Sequence, residues 1–328
     1  MVGLRRLEGG VSSLTYASSV RYDGAERPVV LKVAPPGLEP VRNRDVLRQA
    51  RVLRRLGRLP GFPVPEVLFD DAGDPPDVPP LFAMELCPGE SYEPLLDVSE
   101  APPAPEIAAE RMRVAARALA RLQAETPAAL GLDGEPVVPV AGELERWGRL
   151  FATVDADIGP GHEKLFDRLA ERVPDGIAPR VLHGDYRVAN LLFTGAELEA
   201  VIDWEIWSVG DPRSDLAWLL MHAEPAQVFH EVRSPADIAA GSMMPPAEAL
   251  LDEYAAASRD HGATGDEVAE LSADLAWFLG VCYYKTASTI AVIHKRDRKL
   301  PEPDPKLGVA ARHLDEVLQA GHRALDER

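Results

Sequence analysis

A short block of strand-forming sequence interrupts the helical second half of the chain and constrains the fold more than any other feature. The block contains three apolar runs, Val181–His183, Leu191–Phe193 and Leu198–Ile202, and a turn at Thr194-Gly195 separates the last two. Asp185 and Asn190 lie between the first two runs, and Asp203 follows the third. A hairpin between Asn190 and Asp203 would bring the three oxygen-bearing side chains to one end of a small sheet.

These three side chains suit phosphate chemistry. Magnesium prefers hard oxygen ligands and usually takes few of them from protein, so Asn190 and Asp203 are candidate metal ligands. Asp185 is then free to accept a proton from an attacking hydroxyl. Each residue alone has a plainer interpretation, because Asp and Asn are common turn residues and His183 is compatible with a buried core histidine. The combination favours a catalytic site.

The spacing matches the protein-kinase catalytic loop, in which Asp and Asn lie five residues apart and a metal-binding Asp follows. Gly184 stands where protein kinases have Arg, and Asp203 is followed by Trp-Glu rather than Phe-Gly. The stretch His183-Gly-Asp-Tyr-Arg-Val-Ala-Asn190 resembles the aminoglycoside phosphotransferase (APH) family of small-molecule kinases. Leu182–Phe193 is similar to the branch that includes the kinase-like part of acyl-CoA dehydrogenase family proteins.

The resemblance implies an α+β fold, bilobal and protein-kinase-like, with a β-rich N-terminal lobe and a mostly helical C-terminal lobe. The hydrophobic pattern of the first part predicts four strands and a helix: Leu14–Val20, Val29–Val33, Val67–Phe69, Leu81–Leu86 and Arg42–Leu56. Later segments predict helices: Glu106–Glu125, Leu165–Arg172, Leu216–His222, Ala247–Arg259, Asp266–Ile293 and Leu307–Leu325. We therefore place a nucleotide-binding lobe at 1–87 and a catalytic and substrate-binding lobe at 88–328, with a ligand cleft between them.

Lys32 is the only lysine before Lys164, and it lies within the apolar run Val29–Val33. Strand alternation puts Val30 and Lys32 on the same face. The resemblance implies that Lys32 binds the α- and β-phosphates of ATP or GTP and that Val30 covers the base. The alternative is an edge-strand lysine that extends to water.

Two further segments resemble the nucleotide-binding parts of the family. In a Gly- and Ser-rich turn, backbone N–H groups of Gly10, Ser12 and Ser13 could hold phosphate oxygens. At the hinge between lobes, the backbone of Glu85 and Cys87 would meet the edge of the adenine. Both segments have plain alternatives, since glycines before serines form ordinary turns and the hinge could be an edge strand that ends at a turn.

One position departs from the family pattern. Kinases pair the strand lysine with a Glu on the small-lobe helix, and the aligned residue here is Gln49. Its amide could accept a hydrogen bond from Lys32, but without charge the pair is weaker. Asp45, one turn earlier, could substitute. The departure keeps open a second function, a catalytically weak nucleotide-binding pseudoenzyme or regulatory module.

The resemblance implies transfer of the γ-phosphoryl group of ATP or GTP to an alcohol group of a small molecule, with Mg²⁺ as cofactor. Asp185 would orient and deprotonate the acceptor hydroxyl. Arg187 would lie near the γ-phosphate, where protein kinases often have Lys; a surface arginine is the alternative. Asp215, in a segment that also resembles the family, would hold the catalytic-loop backbone or cap a helix.

We expect the acceptor pocket in the large lobe, between the segment after the metal-binding position and the helix that carries Tyr283, Tyr284 and Lys285. Glu205 and Asp211 suit a cationic acceptor such as an aminosugar. They equally suit helix caps or solvated surface positions. The sequence therefore leaves the acceptor unidentified.

Two other enzyme classes fit less well. A protein kinase needs a long activation segment and an Ala-Pro-Glu motif, and the sequence has no room for them between Asp203 and Asp215. A metal-dependent hydrolase built on His183 would need further ligands, and only the scattered His222 and His230 are available.

Charge and composition narrow the partners. The net charge of −18, from 53 acidic against 35 basic residues, disfavours a general nucleic-acid binder. The apolar run Leu275–Tyr284 is too short to span a bilayer and the first residues lack a signal-peptide core, so we expect no membrane segment and a cytoplasmic location. Cys87 and Cys282 share no CxxC spacing, which predicts neither a disulfide framework nor a zinc site.

Overall fold

The computed structural model describes residues 2–7, 13–22, 24–224 and 233–326. Its N-terminal part is an antiparallel sheet in the order β1-β2-β3-β5-β4 with one helix. The elements are β1 (Val2–Arg6), β2 (Leu14–Tyr22), β3 (Ala25–Val33), α1 (Val46–Leu56), β4 (Val67–Asp71) and β5 (Leu81–Glu85). All but β1 were predicted, since its Gly and two Arg leave it only two apolar residues. Gly10 and Ser12 lie outside the described residues.

Helix α1 begins later than the sequence predicted. Its cap is Asp45, whose Oδ1 accepts the backbone N–H of Arg48 at 3.0 Å. The preceding residues Arg42–Arg44 form a 3₁₀ helix instead. The side chain of Asp45 is therefore engaged as a helix cap, which satisfies one of the free N–H groups at the helix start.

Strand β3 determines which side chains face the C-terminal part. Val30 packs in the main hydrophobic core with Met84, whereas Val29 and Leu31 belong to a smaller cluster on the opposite face. Register pairs Lys32 with Phe82 of β5. Lys32 and Val30 thus share the inner face of the sheet, as strand alternation predicted.

Helices dominate the C-terminal part. They are α2 (Pro105–Gln123), α3 (Val140–Phe151), α4 (His162–Glu171), α5 (Arg213–Met221), α6 (Pro235–Ala240), α7 (Ala247–Asp260), α8 (Gly265–Ser272), α9 (Leu275–Asp297), α10 (Pro305–Arg312) and α11 (Leu314–Asp326). Two antiparallel strand pairs interrupt them: β6 (Arg180–Leu182) with β9 (Ser208–Gly210), and β7 (Leu191–Thr194) with β8 (Glu197–Val201).

Two long helices of the sequence prediction are each divided. The stretch Asp266–Ile293 separates into α8 and α9 because Ala273 is extended and Asp274 is left-handed, with φ of 55°. The stretch Leu307–Leu325 separates into α10 and α11 at His313. In both cases apolar spacing continues across the break, so periodicity alone could not locate it.

Helix α9 is the central helix of the C-terminal part and packs against α3, α5 and α11. Its aromatic residues Trp277, Phe278, Tyr283 and Tyr284 are buried, in agreement with a core role. By length and composition alone α9 could cross a membrane, yet 56% of its apolar window is buried inside the fold. Such burial is that of a core helix.

Arg48 joins α1 to the C-terminal part. Its guanidinium lies 3.9 Å from the ring centroid of Trp207 and donates to the Trp207 carbonyl at 2.8 Å. It also forms an ion pair with Glu135 at 3.1 Å. Because Trp207 follows Asp203 by four residues, these contacts fix α1 against the segment that carries the candidate metal ligand.

Candidate active site

A buried carboxylate holds the backbone of the loop that carries Asp185. Asp215, in the first turn of α5, accepts the backbone N–H groups of His183 at 2.6 Å and Gly184 at 3.0 Å. Burial raises the pKa of Asp215, and the two N–H donors oppose that effect. Asp215 thus holds the loop backbone as predicted; the helix cap itself is Pro212.

His183 connects this loop to the strand that leads to Asp203. Its Nε2 lies 2.8 Å from the carbonyl of Ile202, and its Nδ1 lies 3.2 Å from the backbone N of Asp185. A carbonyl only accepts and a backbone N–H only donates, so His183 is a neutral imidazole with its proton on Nε2. The fully buried ring is a structural link between the two loops.

The carboxylate of Asp185 is positioned on both oxygens. Oδ2 accepts the amide N–H of Asn190 at 2.9 Å, and Oδ1 accepts the indole N–H of Trp218 at 2.8 Å. Burial by itself raises the pKa of Asp185, but the positive charges of Arg187 and Lys285 outweigh it and hold that pKa below its usual range. Asp185 is therefore an ionised, oriented hydrogen-bond acceptor.

Arg187 is fixed by two carboxylates. Its NH1 forms an ion pair with Glu93, which is fully buried, and its Nε lies 3.4 Å from Asp185 Oδ1. The Arg187 side chain is 28% exposed. Arg187 is therefore a partly buried, ion-paired residue and not a free surface arginine. Sequence reasoning missed Glu93, because an isolated Glu before Pro has no recognisable spacing to a partner 94 residues away.

Asn190 and Asp203 lie next to each other across the hairpin. The backbone carbonyl of Asn190 accepts the N–H of Ile202 at 2.9 Å. The amide nitrogen of Asn190 faces Asp185, so the amide oxygen of Asn190 points away from Asp185. Asp203 has a left-handed backbone with φ of 64°, which Asp tolerates better than most residues.

This donor set fits Mg²⁺. Asn190 supplies an amide oxygen, and the Asp203 carboxylate is 38% exposed. No cluster of three or more His, Cys, Asp or Glu side chains suited to a metal occurs among the described residues. An ion held by these two oxygens would therefore take its other ligands from phosphates and water, as Mg²⁺ commonly does.

Lys32 joins the two parts of the site. Its Nζ lies 3.2 Å from Oδ1 of Asp203, and the residue is 7% exposed. Sequence reasoning expected Gln49 or Asp45 as its partner. The partner in the structure is Asp203. Asp45 is engaged as the cap of α1, and no hydrogen bond from Lys32 to Gln49 occurs within the described part of the chain.

The hinge and the Gly- and Ser-rich turn hold the remaining predicted nucleotide contacts. The N–H of Glu85 donates to the carbonyl of Glu66 at 2.9 Å, so only the carbonyl of Glu85 is left for the predicted backbone contact with the base. The backbone of Cys87 forms no hydrogen bond among the described residues, which leaves its groups open. Ser13 is 2% exposed and its Oγ has no partner in the same part of the chain.

Comparison with known proteins decides the family. A family model described as the phosphotransferase enzyme family, APH, matches residues 3–271. The chain belongs to the APH family. The match confirms the resemblance carried by the His183–Asn190 stretch, and the bilobal α+β fold agrees with it.

One curated relative of this APH chain is a much longer protein. Acyl-CoA dehydrogenase family member 10 of Mus musculus is 30% identical over 220 residues, which is 66% of this chain and 20% of that protein. The chain thus spans about a fifth of the length of that curated relative. The branch resemblance seen at Leu182–Phe193 agrees with this relative.

Two solved structures share the fold. A presumed aminoglycoside phosphotransferase of Ralstonia eutropha JMP134 gives a TM-score of 0.74 at 20% identity, covering 99% of this chain and 92% of that one. A thermostable mutant of aminoglycoside phosphotransferase APH(4)-Ia, in ternary complex with ADP and hygromycin B, gives 0.58 at 15% identity, covering 98% and 94%. At such identities the likeness concerns the fold.

The sequence left open an acceptor contact and a structural role for Asp211 and Glu205, and the structure favours the structural role for Asp211. Asp211 is 6% exposed and binds the guanidinium of Arg213 at 2.7 and 2.9 Å, together with the N–H groups of Arg213 and Ile177. These donors leave no lone pair for an acceptor, so Asp211 is structural. Glu205 is half-buried in the 3₁₀ helix Trp204–Ile206 directly after Asp203, and its contact with an acceptor stays a prediction.

Lys285 of α9 is the cation that the fold brings to the catalytic loop. Its Nζ donates to the Gly184 carbonyl at 2.7 Å and lies 3.7 Å from the ring centroid of Trp218. Sequence reasoning placed Lys285 near the acceptor pocket but gave Trp218 no role. Lys285 and Arg187 together lower the pKa of Asp185, but Arg187 is itself paired with Glu93, so the charges around Asp185 do not select the charge of the acceptor.

We expect both cysteines to react slowly with iodoacetamide at pH 7.5 in the folded protein. Burial, reinforced by the nearby Glu85 carboxylate, raises the pKa of Cys87 to about 12, and burial raises that of Cys282 to about 12. The thiolate is the nucleophile, so a shift from 9.0 to about 12 makes the reactive fraction roughly a thousandfold smaller. Mass spectrometry of labelled protein, with urea-unfolded protein as control, measures this. Labelling of Cys87 at the unfolded rate would contradict it.

Proposed function

We propose that the chain is an ATP- or GTP-dependent phosphotransferase that moves the γ-phosphoryl group to a hydroxyl of a small molecule. The observation that carries the proposal is the convergence of Asp185, Asn190, Asp203 and Lys32. The first two are hydrogen-bonded to each other, and the last two form an ion pair across the cleft. Phosphoryl transfer asks a protein mainly to position groups and neutralise charge.

Each residue then has a role. Asp185 orients the acceptor hydroxyl and takes its proton, an effect worth roughly 10²–10⁴-fold. Lys32, now paired with Asp203, would bind the α- and β-phosphates, and Arg187, which lies beside Asp185, would contact the γ-phosphate. Asn190 and Asp203 would hold Mg²⁺, which supplies neutralisation of phosphate charge when bound.

The acceptor is proposed as a class only. Hygromycin B is bound by one structural neighbour, APH(4)-Ia. In this chain Asp211 is occupied by Arg213, and the charges around Asp185 do not select the charge of the acceptor. An acceptor screen should therefore contain neutral and anionic hydroxyl compounds beside aminosugars.

Nucleotide binding should raise Tm by several degrees in the presence of Mg²⁺ and ATP or GTP. Ligand at 10 to 100 times Kd stabilises a protein by about 1.4–2.7 kcal/mol. With an unfolding entropy of roughly 2.1 cal/mol/K per residue, each kcal/mol shifts the Tm of a 328-residue chain by about 1.5 °C, so the expected rise is about 2–4 °C. Thermal melting measures the shift. Lys32→Met should reduce it, whereas Lys164→Met, an exposed lysine on α4, should not.

The acceptor screen, read by ³¹P NMR, then separates two functions. Phosphorylated product supports the proposed transferase. A nucleotide-dependent Tm shift without turnover of any acceptor class favours the alternative, a nucleotide-binding pseudoenzyme, which Gln49 in place of the family's Glu motivates. Absence of any shift with either nucleotide contradicts both.

A further inference from the structure

Each oxygen of Asp185 accepts one hydrogen bond from a neighbouring side chain. Oδ1 accepts the Nε1–H of Trp218 at 2.8 Å, and Oδ2 accepts the Nδ2–H of Asn190 at 2.9 Å. Arg187 adds an ion pair, with its Nε 3.4 Å from Oδ1. A carboxylate oxygen has two lone pairs, so each oxygen of Asp185 keeps one for an acceptor hydroxyl within the described residues.

We propose that Trp218 is a positioning residue: its indole N–H on Oδ1, together with the Asn190 amide on Oδ2, fixes the orientation of the Asp185 carboxylate that receives the acceptor proton. The inference rests on the proposed function. The acceptor O–H gives its proton to the Asp185 carboxylate and its oxygen bonds to the γ-phosphorus. The bond from that phosphorus to the bridging oxygen breaks, and its electron pair leaves with the nucleoside diphosphate. Rotation of the carboxylate would break the hydrogen bonds on both oxygens, so the remaining lone pairs keep their directions.

Trp218 is itself held in place from two sides. The Lys285 ammonium lies 3.7 Å from its ring centroid and donates to the carbonyl of Gly184, the residue before Asp185. The His222 ring lies on the indole at 4.8 Å, tilted by 60°. The indole plane is therefore fixed between α5 and α9 and tied to the catalytic loop.

Other tryptophans use their indole N–H groups differently. Trp204, Trp207 and Trp277 donate to the backbone carbonyls of Val201, Arg48 and Leu169, and Trp147 donates to the carboxylate of Glu143 in its own helix, α3. Such bonds satisfy a buried donor and contribute to stability only. Trp218 instead donates to the carboxylate at the centre of the site, which distinguishes its role from a packing role.

A pair of Trp→Phe variants tests the role kinetically. Trp218→Phe keeps an aromatic ring near Lys285 but removes the N–H donor together with part of the ring volume, and we expect kcat to fall roughly 10- to 100-fold, as for loss of a hydrogen bond to a charged group. KM for the nucleotide should stay within about twofold, because Trp218 contacts the carboxylate and not the nucleotide. Trp277→Phe, which loses a bond to a carbonyl far from the loop, should lower Tm and leave kcat unchanged. Equal kcat in the two variants would overturn the proposal.

A spectroscopic measurement needs no acceptor. Protein labelled with ¹⁵N-tryptophan gives five indole N–H resonances, and that of Trp218 is the one missing from Trp218→Phe. In Asp185→Asn we expect the Trp218 indole proton to move upfield, because an amide is a weaker acceptor than a carboxylate, while the Trp277 resonance stays. An unmoved Trp218 resonance refutes the hydrogen bond. If the Trp218 resonance moves in Asp185→Asn but the wild-type protein turns over no acceptor, the hydrogen bond stands and the proposed function is refuted.

Discussion

Asp185→Asn should lose phosphotransfer almost completely, with kcat reduced by roughly 10²–10⁴-fold. The substitution keeps the shape of the side chain, but an amide cannot take a proton from the acceptor hydroxyl. Its NH₂ group must also face either Asn190 or Trp218, each of which presents a donor there. Steady-state kinetics with an acceptor found in the screen measures the loss.

Nucleotide binding provides the matched readout for this variant. Because Lys32 and Asp203 are unchanged, Asp185→Asn should keep the Tm shift caused by Mg²⁺ and nucleotide. Asp175→Asn serves as the control for an Asp→Asn change elsewhere in the fold. Asp175 is exposed, and its backbone carbonyl rather than its carboxylate accepts a hydrogen bond from Arg213. A kcat of Asp185→Asn within tenfold of the wild type would remove Asp185 from its role as base.

Asp211→Asn should destabilise the fold by about 3–5 kcal/mol, the usual effect of removing one partner of a buried ion pair. Both groups are buried, and Arg213 would keep its charge under the ring of Phe278, whose centroid lies 4.6 Å from the guanidinium carbon. Urea unfolding at constant m measures the change.

The control for Asp211 is an exposed ion pair. Arg54 and Asp70 are 2.7 Å apart with side chains 41% and 36% exposed, so Asp70→Asn should cost at most about 1 kcal/mol. Well below its Tm, Asp211→Asn should keep the acceptor KM of the wild type. A raised KM with unchanged stability would show that Asp211 contacts the acceptor after all.

Local patterns predicted the parts of the fold that depend on neighbouring residues. Alternation in Val29–Val33 placed Lys32 on the inner face, and the hairpin after Asn190 brought Asp203 beside it. Helix breaks were missed because Asp274 and His313 interrupt runs whose apolar spacing continues. Backbone conformation at a single residue decides such breaks, and periodicity does not record it.

Partners that come from distant segments could not be predicted. Glu93, Trp218 and Lys285 reach the catalytic loop from the hinge segment, α5 and α9, and no spacing relates them to Asp185. Asp211 illustrates the opposite difficulty. A carboxylate near a predicted acceptor pocket looks the same in sequence whether it faces ligand or, as here, the arginine two residues later.

The ion pair between Lys32 and Asp203 has a consequence for the proposed nucleotide site. A phosphate chain that bound Lys32 alone would leave Asp203 without its counterion, and a cation that bound Asp203 alone would leave Lys32, which is 7% exposed, without its carboxylate. A ligand that carries both charges would compensate both residues. Under the proposed function we therefore expect the complex of metal ion and nucleotide to bind more tightly than either component alone.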